Sequence, residues 1–374
     1  MDNVNWSHLP EHIIVEILSY LDLPDRYRAS LICRPWNSGF TSRYLWTKFH
    51  FNFFTAEHGK YLKCVKLYGR YFKEVTVRVD QKDPWNRTNG CQVLLGLCSL
   101  EEYRLERLTI KFTSQNPCMY SGREYLDALY KLVECHTKLQ RLDLSGLHIN
   151  FDGRLCDILS ENNPDLQVLN VQNRVLVCKV LPEHLLQVVQ RCRKLTDLLI
   201  FNCSLSEEVL IALCDIDRRR LRHLSIICRR EEKYAKNIDS MVWKKLRESN
   251  RGLEVTLKFD HTCPLYRVSQ LMDPEIPVVE LYLETFTDLA NEIQLASNYE
   301  NTLRILLVVT AGSSDDLDAA LLHLATQCHK LSELHVQGCN RLRKETVDKI
   351  LALLPALEDN RRYTLKYNGQ PTTD

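Results

Sequence analysis

The residues of this sequence that could carry chemistry are its cysteines, its histidines and its clusters of charge. The chain of 374 residues contains 15 cysteines and 12 histidines. Two segments share one spacing, Cys192 to Cys203 and Cys328 to Cys339, with apolar residues between the cysteines. Zinc sites favour cysteines two to four residues apart with further Cys or His nearby, which neither segment supplies. Because a free cysteine behaves as a small apolar residue, we expect these four in the core and expect no metal or cofactor.

Catalytic motifs are also absent from the sequence. It has no G-x-x-x-x-G-K-S/T phosphate loop, no G-x-S-x-G elbow and no H-E-x-x-H zinc motif. The charged runs at 218–220 and 229–233 are typical of solvated loops or helix ends. Arg78, Arg107 and Arg141 would suit a phosphorylated partner if they converged, and the sequence leaves that question open. We therefore expect a protein that is not an enzyme.

Composition and charge limit the partners and the cellular location that we expect for this protein. The chain has 49 basic and 48 acidic residues, a net charge of +1, so there is no general attraction to nucleic acid or to an acidic membrane. Its first residues lack the pattern of a secretory signal, and no stretch is apolar enough to span a bilayer. An odd number of scattered cysteines fits reduced thiols. We expect a cytoplasmic and/or nuclear protein with no nucleic-acid or membrane partner.

A short apolar signature, L-x-x-L-x-L, recurs along most of the chain. Its last positions are residues 77, 110, 144, 171, 200, 226, 257, 283, 308 and 336. The period is that of leucine-rich repeats, which run to about 20–29 residues with longer members. We expect a strand in each unit and helices such as 126–133, 183–189, 317–325 and 347–354. Stacked units share a continuous core, so residues 72–374 are predicted to form one α/β solenoid with a curved parallel sheet on its concave face.

Between these units, the Pro, Asn and Gly residues of 84–90 indicate a loop. Residues 49–53 alternate as a short strand or a packed joint would. A helix is expected over about 56–71, and we assign residues 51–71 as a linker.

The first fifty residues are predicted to form two or three short amphipathic helices. One apolar face follows the first helix from residue 9 to residue 21. Pro24 opens a second helix that we expect to carry Leu31, Ile32 and Cys33, and Pro35 ends it. A segment this short cannot bury so much apolar surface alone, so part of that surface should meet another chain or the rest of this one.

The same stretch resembles an F-box. It reads L-P-x-x-I-I-x-x-I-L-x-Y-L-x-L-x-D-R, followed by S-L-I-C-R-x-W-N. The resemblance covers residues 5–50 and implies docking onto the Skp adaptor of Skp–cullin–F-box ubiquitin ligases. A plain three-helix bundle that uses the same residues as its core is the alternative. The implied Skp-binding residues are Leu9, Pro10, Ile14, Ile17, Leu18, Leu21 and Trp36.

Together, the F-box and the repeat array resemble the F-box/leucine-rich-repeat proteins. Segments 44–49 and 274–282 are similar to the branch that includes cryptochrome-directed receptors, although the tail 365–374 has no Trp. The resemblance implies a non-catalytic substrate receptor whose partners are the Skp adaptor, a cullin scaffold reached through Skp, and a protein substrate. The alternative is a repeat scaffold or inhibitor with no role in a ligase.

The substrate is expected on the C-terminal half of the concave face. Strand side chains alternate, so residues that flank the inward leucines point to that face. One strand, 305–309, is then apolar on both faces, and an apolar patch rimmed by charge is typical of an interface. Alternatively, the tail or the 228–239 loop covers it. The predicted substrate-binding residues are Phe201, Ile227, Tyr282, Ile305, Leu307 and Val309.

Overall fold

The computed structural model describes residues 6–100, 104–115, 120–135, 138–175, 177–230, 235–310, 315–338, 342–359 and 362–365. Backbone contacts divide the chain into two compact units, Met1–Ile149 and Asn150–Asp374. Within each unit the strands run parallel, and each pairs with the next in chain order.

The first unit begins with three short helices and continues with strands that alternate with helices. Its strands pair in parallel, β1 with β2, β2 with β3 and β3 with β4. Single 3-10 turns lie at Trp6–His8, Arg43–Trp46, Ala56–Tyr61 and Gly69–Tyr71. The longer elements are α1 (Glu11–Tyr20), α2 (Leu23–Ser30), α3 (Arg34–Thr41), β1 (Lys48–Phe53), α4 (Leu62–Tyr68), β2 (Glu74–Val79), α5 (Pro84–Cys98), β3 (Arg107–Phe112), α6 (Arg123–Cys135) and β4 (Arg141–Gly146).

The second helix is shorter than the sequence suggested. The Asp22 carboxylate accepts a hydrogen bond from the Asp25 N–H at 2.9 Å, which caps α2 at its start. The helix ends at Ser30, so the expectation that it carries Leu31, Ile32 and Cys33 is wrong. Pro35 lies in the first turn of α3, where its missing N–H costs nothing, and Cys33 before that helix is extended, so the chain starts a new helix here instead of continuing α2.

The joint at residues 49–53 is a strand. Lys48 of β1 pairs with Glu74 of β2, and the register continues to Phe53 opposite Val79. Of the short strand and the packed joint that the pattern allowed, the strand is the one present, and Lys48 is its first residue. The boundary drawn between residues 50 and 51 falls inside β1, while the helix expected over 56–71 forms as α4 flanked by two 3-10 turns.

An aromatic cluster fixes the three helices to this strand. The Trp46 ring stacks on Tyr68 with centroids 3.8 Å apart and an interplanar angle of 6°. Its Nε1–H donates to the Phe40 carbonyl at 2.6 Å. Phe49 of β1 stacks on Phe72 at 5.1 Å. Each such ring pair contributes about 0.5–1.5 kcal/mol beyond its area burial, so the helices and the first strands form one packed body.

Residues 84–90, expected as a loop, form the start of α5. Pro84 occupies a position at the helix start where its missing N–H costs nothing, and the Asp83 carboxylate accepts from the Trp85 N–H at 2.8 Å. Gly90 lies against α6, where a Cβ would overlap the Tyr125 hydroxyl. The turn-forming residues therefore serve a helix start and a close helix contact, and the loop prediction is wrong.

The described residues of the second unit include eight parallel strands, each paired with the next in chain order. The 3-10 turns are Asn202–Ser204 and Ala296–Tyr299. Its strands are β5 (Val168–Asn170), β6 (Asp197–Phe201), β7 (His223–Cys228), β8 (Glu254–Phe259), β9 (Val278–Leu283), β10 (Ile305–Val309), β11 (Glu333–Gln337) and β12 (Tyr363–Thr364). Its helices are α7 (Gly153–Asn162), α8 (Pro182–Arg191), α9 (Glu207–Ala212), α10 (Ser240–Ser249), α11 (Leu265–Leu271), α12 (Ala290–Leu295), α13 (Asp315–Gln327), α14 (Lys344–Leu353) and α15 (Pro355–Asp359).

The repeated signature marks the core of both units. At every copy the last two signature residues are at most 2% exposed, from Val75 and Val77 in β2 to Leu334 and Val336 in β11. The four helices named from the pattern correspond to α6, α8, α13 and α14, with Leu354 one residue beyond the end of α14. A helical N-terminal segment followed by parallel strand–helix repeats, the predicted fold class, is therefore confirmed. That the array unfolds as one cooperative body stays a prediction.

Candidate functional site

The first candidate surface is formed by the N-terminal helices. Ile14 and Leu18 are fully buried. A Cβ at Gly39 would lie 2.6 Å from Ile14 Cγ2 and 3.5 Å from Leu18 Cδ1, so α1 and α3 approach closely at this glycine. Two of the predicted Skp-binding residues therefore pack α1 onto α3 and contact a partner only if the helices separate.

The other five predicted residues are accessible. Leu9, Ile17, Leu21 and Trp36 are half-buried and Pro10 is exposed. The Trp36 Nε1–H donates to the Trp6 carbonyl at 3.1 Å, which leaves the six-membered side of the indole to other contacts. Their role in binding an adaptor stays a prediction.

Further apolar side chains, which were not predicted as part of the adaptor surface, are exposed in α1, in α2 and just after α2. Tyr20 is 82% exposed, Tyr27 57%, Leu31 65% and Ile32 73%. We call these four residues the N-terminal apolar surface. Leu31 and Ile32 are exposed because α2 ends before them; the signal that could have found them is Pro35, which cannot continue that helix.

The second candidate surface is the sheet face of the second unit that points away from its helices. Cross-strand pairing places Phe201 opposite Ile227 and Tyr282 opposite Leu307. Lys258 of β8 lies between these pairs, opposite Ile227 on one side and Tyr282 on the other. Four of the predicted residues thus fall in one row across the sheet, with a lysine in its middle.

Strands β9 and β10 carry the apolar part of this face. Tyr282, Ile305, Leu307 and Val309 are each half-buried, and we call them the β9–β10 patch. Leu306 and Val308 between them are fully buried in the core. Strand β10 is therefore apolar on both faces, as the sequence predicted.

Phe201 lies apart from this patch and is 2% exposed. The Arg229 guanidinium covers it, with Cζ 4.2 Å from the ring centroid. Arg229 Nε pairs with Asp260 Oδ2 at 3.0 Å, and its other nitrogens donate to the carbonyls of Asn173 and Val175. The start of the 228–239 segment thus covers one of the predicted substrate residues.

The structure describes the 228–239 segment and the tail only in part. Residues 231–234 and 366–374, and Cys339 of the second cysteine spacing, lie outside the described residues. Of the other three cysteines, Cys192 and Cys328 are buried as expected and Cys203 is half-buried. The alternative that the tail covers the β9–β10 patch stays open.

The charge around Tyr282 is mainly negative. Burial raises the pKa of Tyr282 to about 12, and Glu280, Glu333 and Glu284 add to the effect. Lys258 pairs with Glu284 at 3.0 Å. Glu280 accepts hydrogen bonds from the hydroxyls of Tyr282 at 3.3 Å and Thr256 at 3.2 Å.

Glu280 differs from the carboxylates near it in its ion pairing. Glu284 has Lys258 as a partner, and Glu333 has His335 and Arg362. Within the described part of the chain, Glu280 has no ion-pair partner. It is a half-buried carboxylate that borders an apolar patch.

The three arginines considered for phosphate binding do not converge. Arg107 lies opposite Arg141 across β3 and β4, whereas Arg78 lies opposite Lys111 in another row. Arg107 pairs with Glu74 at 3.0 Å, and Arg141 pairs with Asp143 at 3.6 Å. Two of the three are neighbours, each already next to a carboxylate.

The described residues show neither a metal-ligand cluster nor a membrane-spanning helix. No group of three or more His, Cys, Asp and Glu is placed there to hold a metal ion. None of the helices described is long and apolar enough to cross a bilayer.

Comparison with known proteins adds a family context. A model described as F-box-like matches residues 6–52. F-box/LRR-repeat protein 8 of Homo sapiens is 27% identical over 365 residues, which cover 97% of this chain and 96% of that protein. F-box/LRR-repeat protein 21 of Mus musculus is 26% identical over 354 residues, 90% of this chain and 77% of that protein.

One solved structure is also similar, from the crystal structure of the Rad7 and Elc1 complex in yeast. It aligns over 96% of this chain and 91% of that chain, with 14% identity and a TM-score of 0.43, a similarity too low to support an inference. The sequence matches confirm the resemblance predicted above, since the chain contains an F-box-like domain and has homologues named F-box/LRR-repeat proteins over most of its length.

Proposed function

Because this chain carries an F-box-like domain and its homologues are F-box/LRR-repeat proteins, we propose that it is the substrate receptor of a Skp–cullin–F-box ubiquitin ligase. Its N-terminal helices bind the Skp adaptor, which brings the cullin scaffold, and its repeats bind a protein substrate. The receptor needs no catalytic residue, because holding substrate and ubiquitin carrier together raises their effective concentration. The outcome is ubiquitination and degradation of the substrate.

The observation that carries the adaptor role is the N-terminal apolar surface within residues 6–52. Four large side chains, each more than half exposed, lie on about a dozen residues of helix and turn. Burying each one contributes about 1.5–3 kcal/mol. Together with Leu9, Pro10, Ile17, Leu21 and Trp36, they form the apolar part of the proposed adaptor interface.

The substrate role rests on the β9–β10 patch. Half-buried apolar side chains on two neighbouring strands can anchor apolar residues of a partner, and Glu280 beside them can pair with a lysine or arginine. A carboxylate at an interface favours a partner of opposite charge and sets its register. The proposed substrate therefore presents a basic residue flanked by apolar ones.

The place of action is part of the same proposal. All thirteen cysteines that the structure describes are outside disulfides. Reduced thiols are typical of the cytosol and nucleus, so we propose a cytoplasmic and/or nuclear location.

A non-catalytic scaffold or inhibitor is the second candidate. The burial of Ile14 and Leu18 and the stacking of Trp46 on Tyr68 favour it, because both show the helices packing on this chain's own residues. Co-expression with the Skp adaptor separates the two candidates. A receptor co-purifies with adaptor at one-to-one stoichiometry, whereas a scaffold is recovered alone as a stable, folded chain.

A second experiment tests the substrate role. Wild-type chain and the Leu9→Ala/Pro10→Ala chain are expressed in cells treated with a proteasome inhibitor, and the bound proteins are compared. A substrate binds both forms but is ubiquitinated only with the wild-type chain. Partners that carry no ubiquitin with either form contradict the receptor role.

A further inference from the structure

Two cysteines of the second unit lie against each other beside a cavity. Cys178 lies between β5 and α8, and Cys203 lies in the 3-10 turn that follows β6. Both are half-buried and outside any disulfide, and their thiols are hydrogen-bonded to one another. Cys178 Sγ is also 3.4 Å from the Ser204 hydroxyl. The fold has therefore placed two sulfur atoms from separate repeats within reach of each other.

The cavity beside them has a volume of about 780 Å³ and both cysteines line it. Its wall is apolar at Leu186 and Leu205 and charged at Glu183, Glu207 and Lys236. A space of this size admits water and small solutes, since one water needs only about 10–15 Å³ of such volume. A small polar reagent can therefore reach the thiols from solvent.

The surroundings of Cys178 favour its thiolate. The hydrogen bond from Cys203 lowers the pKa of Cys178 to about 7, helped by Ser204 and by the positive charge of Arg229 and opposed by burial. The thiolate, rather than the thiol, is the nucleophile, so the lowered pKa makes Cys178 the attacking thiol of the pair.

A second thiol pair in this chain provides a contrast. Cys98 is hydrogen-bonded to Cys135, yet burial is the main influence there and raises the pKa of Cys98 to about 12. Burial likewise raises the pKa of Cys192 to about 12. Proximity of two thiols alone therefore does not make a reactive site in this protein.

We propose that Cys178 and Cys203 form a peroxide-reactive dithiol site, in which Cys178 is oxidised first and Cys203 resolves it. The Cys178 thiolate attacks one oxygen of hydrogen peroxide and breaks the O–O bond, which gives a sulfenic acid and a hydroxide that takes a proton from solvent. The Cys203 sulfur then attacks the sulfenic sulfur. An S–S bond forms, the S–O bond breaks, and the departing hydroxide leaves as water with the Cys203 proton.

The electron count of this reaction is complete. Two thiols lose two electrons and two protons to become one disulfide, and hydrogen peroxide gains both to become two waters. The oxidant is the only co-reactant, and no metal or cofactor takes part. The proposal is independent of the ligase role.

The test uses the purified full-length chain. It is first alkylated with limiting iodoacetamide at pH 7, and labelled cysteines are identified by peptide mass spectrometry. Cys178 should react roughly a hundredfold faster than Cys98, the difference expected from thiolate fraction offset by the lower nucleophilicity of a more acidic thiol. This measurement needs no variant, so it stands even where a substitution disturbs folding. Equal labelling of Cys178 and Cys98 would overturn the proposal.

The oxidation step is then tested with hydrogen peroxide. Wild-type chain should gain one disulfide that links Cys178 to Cys203, while Cys98 and Cys135 stay reduced. In Cys203→Ser, a sulfenic acid at Cys178 should accumulate and be trapped by dimedone, and in Cys178→Ser neither product should form. A Cys203 that oxidises at the wild-type rate in Cys178→Ser, or a disulfide at Cys98–Cys135 that forms first, would contradict the assigned order.

Discussion

The Arg229 guanidinium lies 4.2 Å over the ring of Phe201 and pairs with Asp260 at 3.0 Å. Both charged side chains are only 15% exposed. Arg229 therefore fills a site on the sheet face that an outside apolar group would otherwise occupy. Phe201 becomes available to a partner only after Arg229 moves. In this it differs from the residues of the β9–β10 patch, which are already half-exposed.

Replacing this arginine should destabilise the second unit. In Arg229→Ala, Asp260 is left as a partly buried carboxylate with no cation on it, and the Phe201 ring loses its cover. Breaking such a pair costs about 3 kcal/mol, and amide hydrogen exchange in β6–β8 should become faster accordingly. Arg230→Ala is the control, because the Arg230 side chain is exposed and such surface changes cost less than about 0.5 kcal/mol. Equal exchange in the two variants would contradict this role.

Two substitutions in the N-terminal segment should have different effects, one on stability and the other on adaptor binding. Ile14→Ala removes a fully buried side chain that packs on Gly39, so it should cost about 2–5 kcal/mol of stability. Ile32→Ala removes a side chain that is 73% exposed, so it should leave stability unchanged and weaken adaptor binding instead. Thermal unfolding and adaptor titration of each variant check this contrast. An Ile32→Ala chain that binds adaptor as the wild type does would remove Ile32 from the interface.

Much of the fold could be predicted because the repeat signature is a local pattern. The alternation that buries Leu306 and Val308 and leaves Leu307 half-exposed follows from strand geometry alone. The loop predicted at residues 84–90 was wrong because Pro and Gly also suit a helix start and a close contact between helices. The side chain that requires Gly90 is Tyr125, which lies 35 positions away in the sequence. The contact of Arg229 with Phe201 is a tertiary contact between repeats, so no local sequence pattern predicts it. The pairing of Cys178 with Cys203 was missed for the same reason.

The β9–β10 patch should be required for substrate and dispensable for the adaptor. Leu307→Asp places a charge in the middle of the patch, and Tyr282→Ala removes its largest side chain. Both should abolish capture of the proteins that the wild-type chain recovers, while adaptor binding persists. Full recovery of every partner by both folded variants would show that the substrate binds elsewhere.

The charge beside the patch should select the partner. A random peptide library displayed on phage is selected on wild-type chain and on Glu280→Gln, and we expect wild type alone to enrich a basic residue between apolar ones. Losing one charged contact should weaken the selected peptide about tenfold. Glu284→Gln is the matched control, because Glu284 is already paired with Lys258. The same enriched motif from all three chains would rule out Glu280 as the contact.

The most direct measurement of the central claim is adaptor binding by a chain changed at Leu9 and Pro10. Both residues are accessible at the start of α1, and neither is part of the buried contact at Gly39. The Leu9→Ala/Pro10→Ala variant and the wild-type chain are each co-expressed with the Skp adaptor and purified by an affinity tag on this protein, not on the adaptor. We expect one-to-one adaptor with the wild type and almost none with the double variant, whose circular dichroism should be unchanged. Adaptor recovered at the wild-type ratio from the folded double variant would contradict the assignment of these helices to the adaptor.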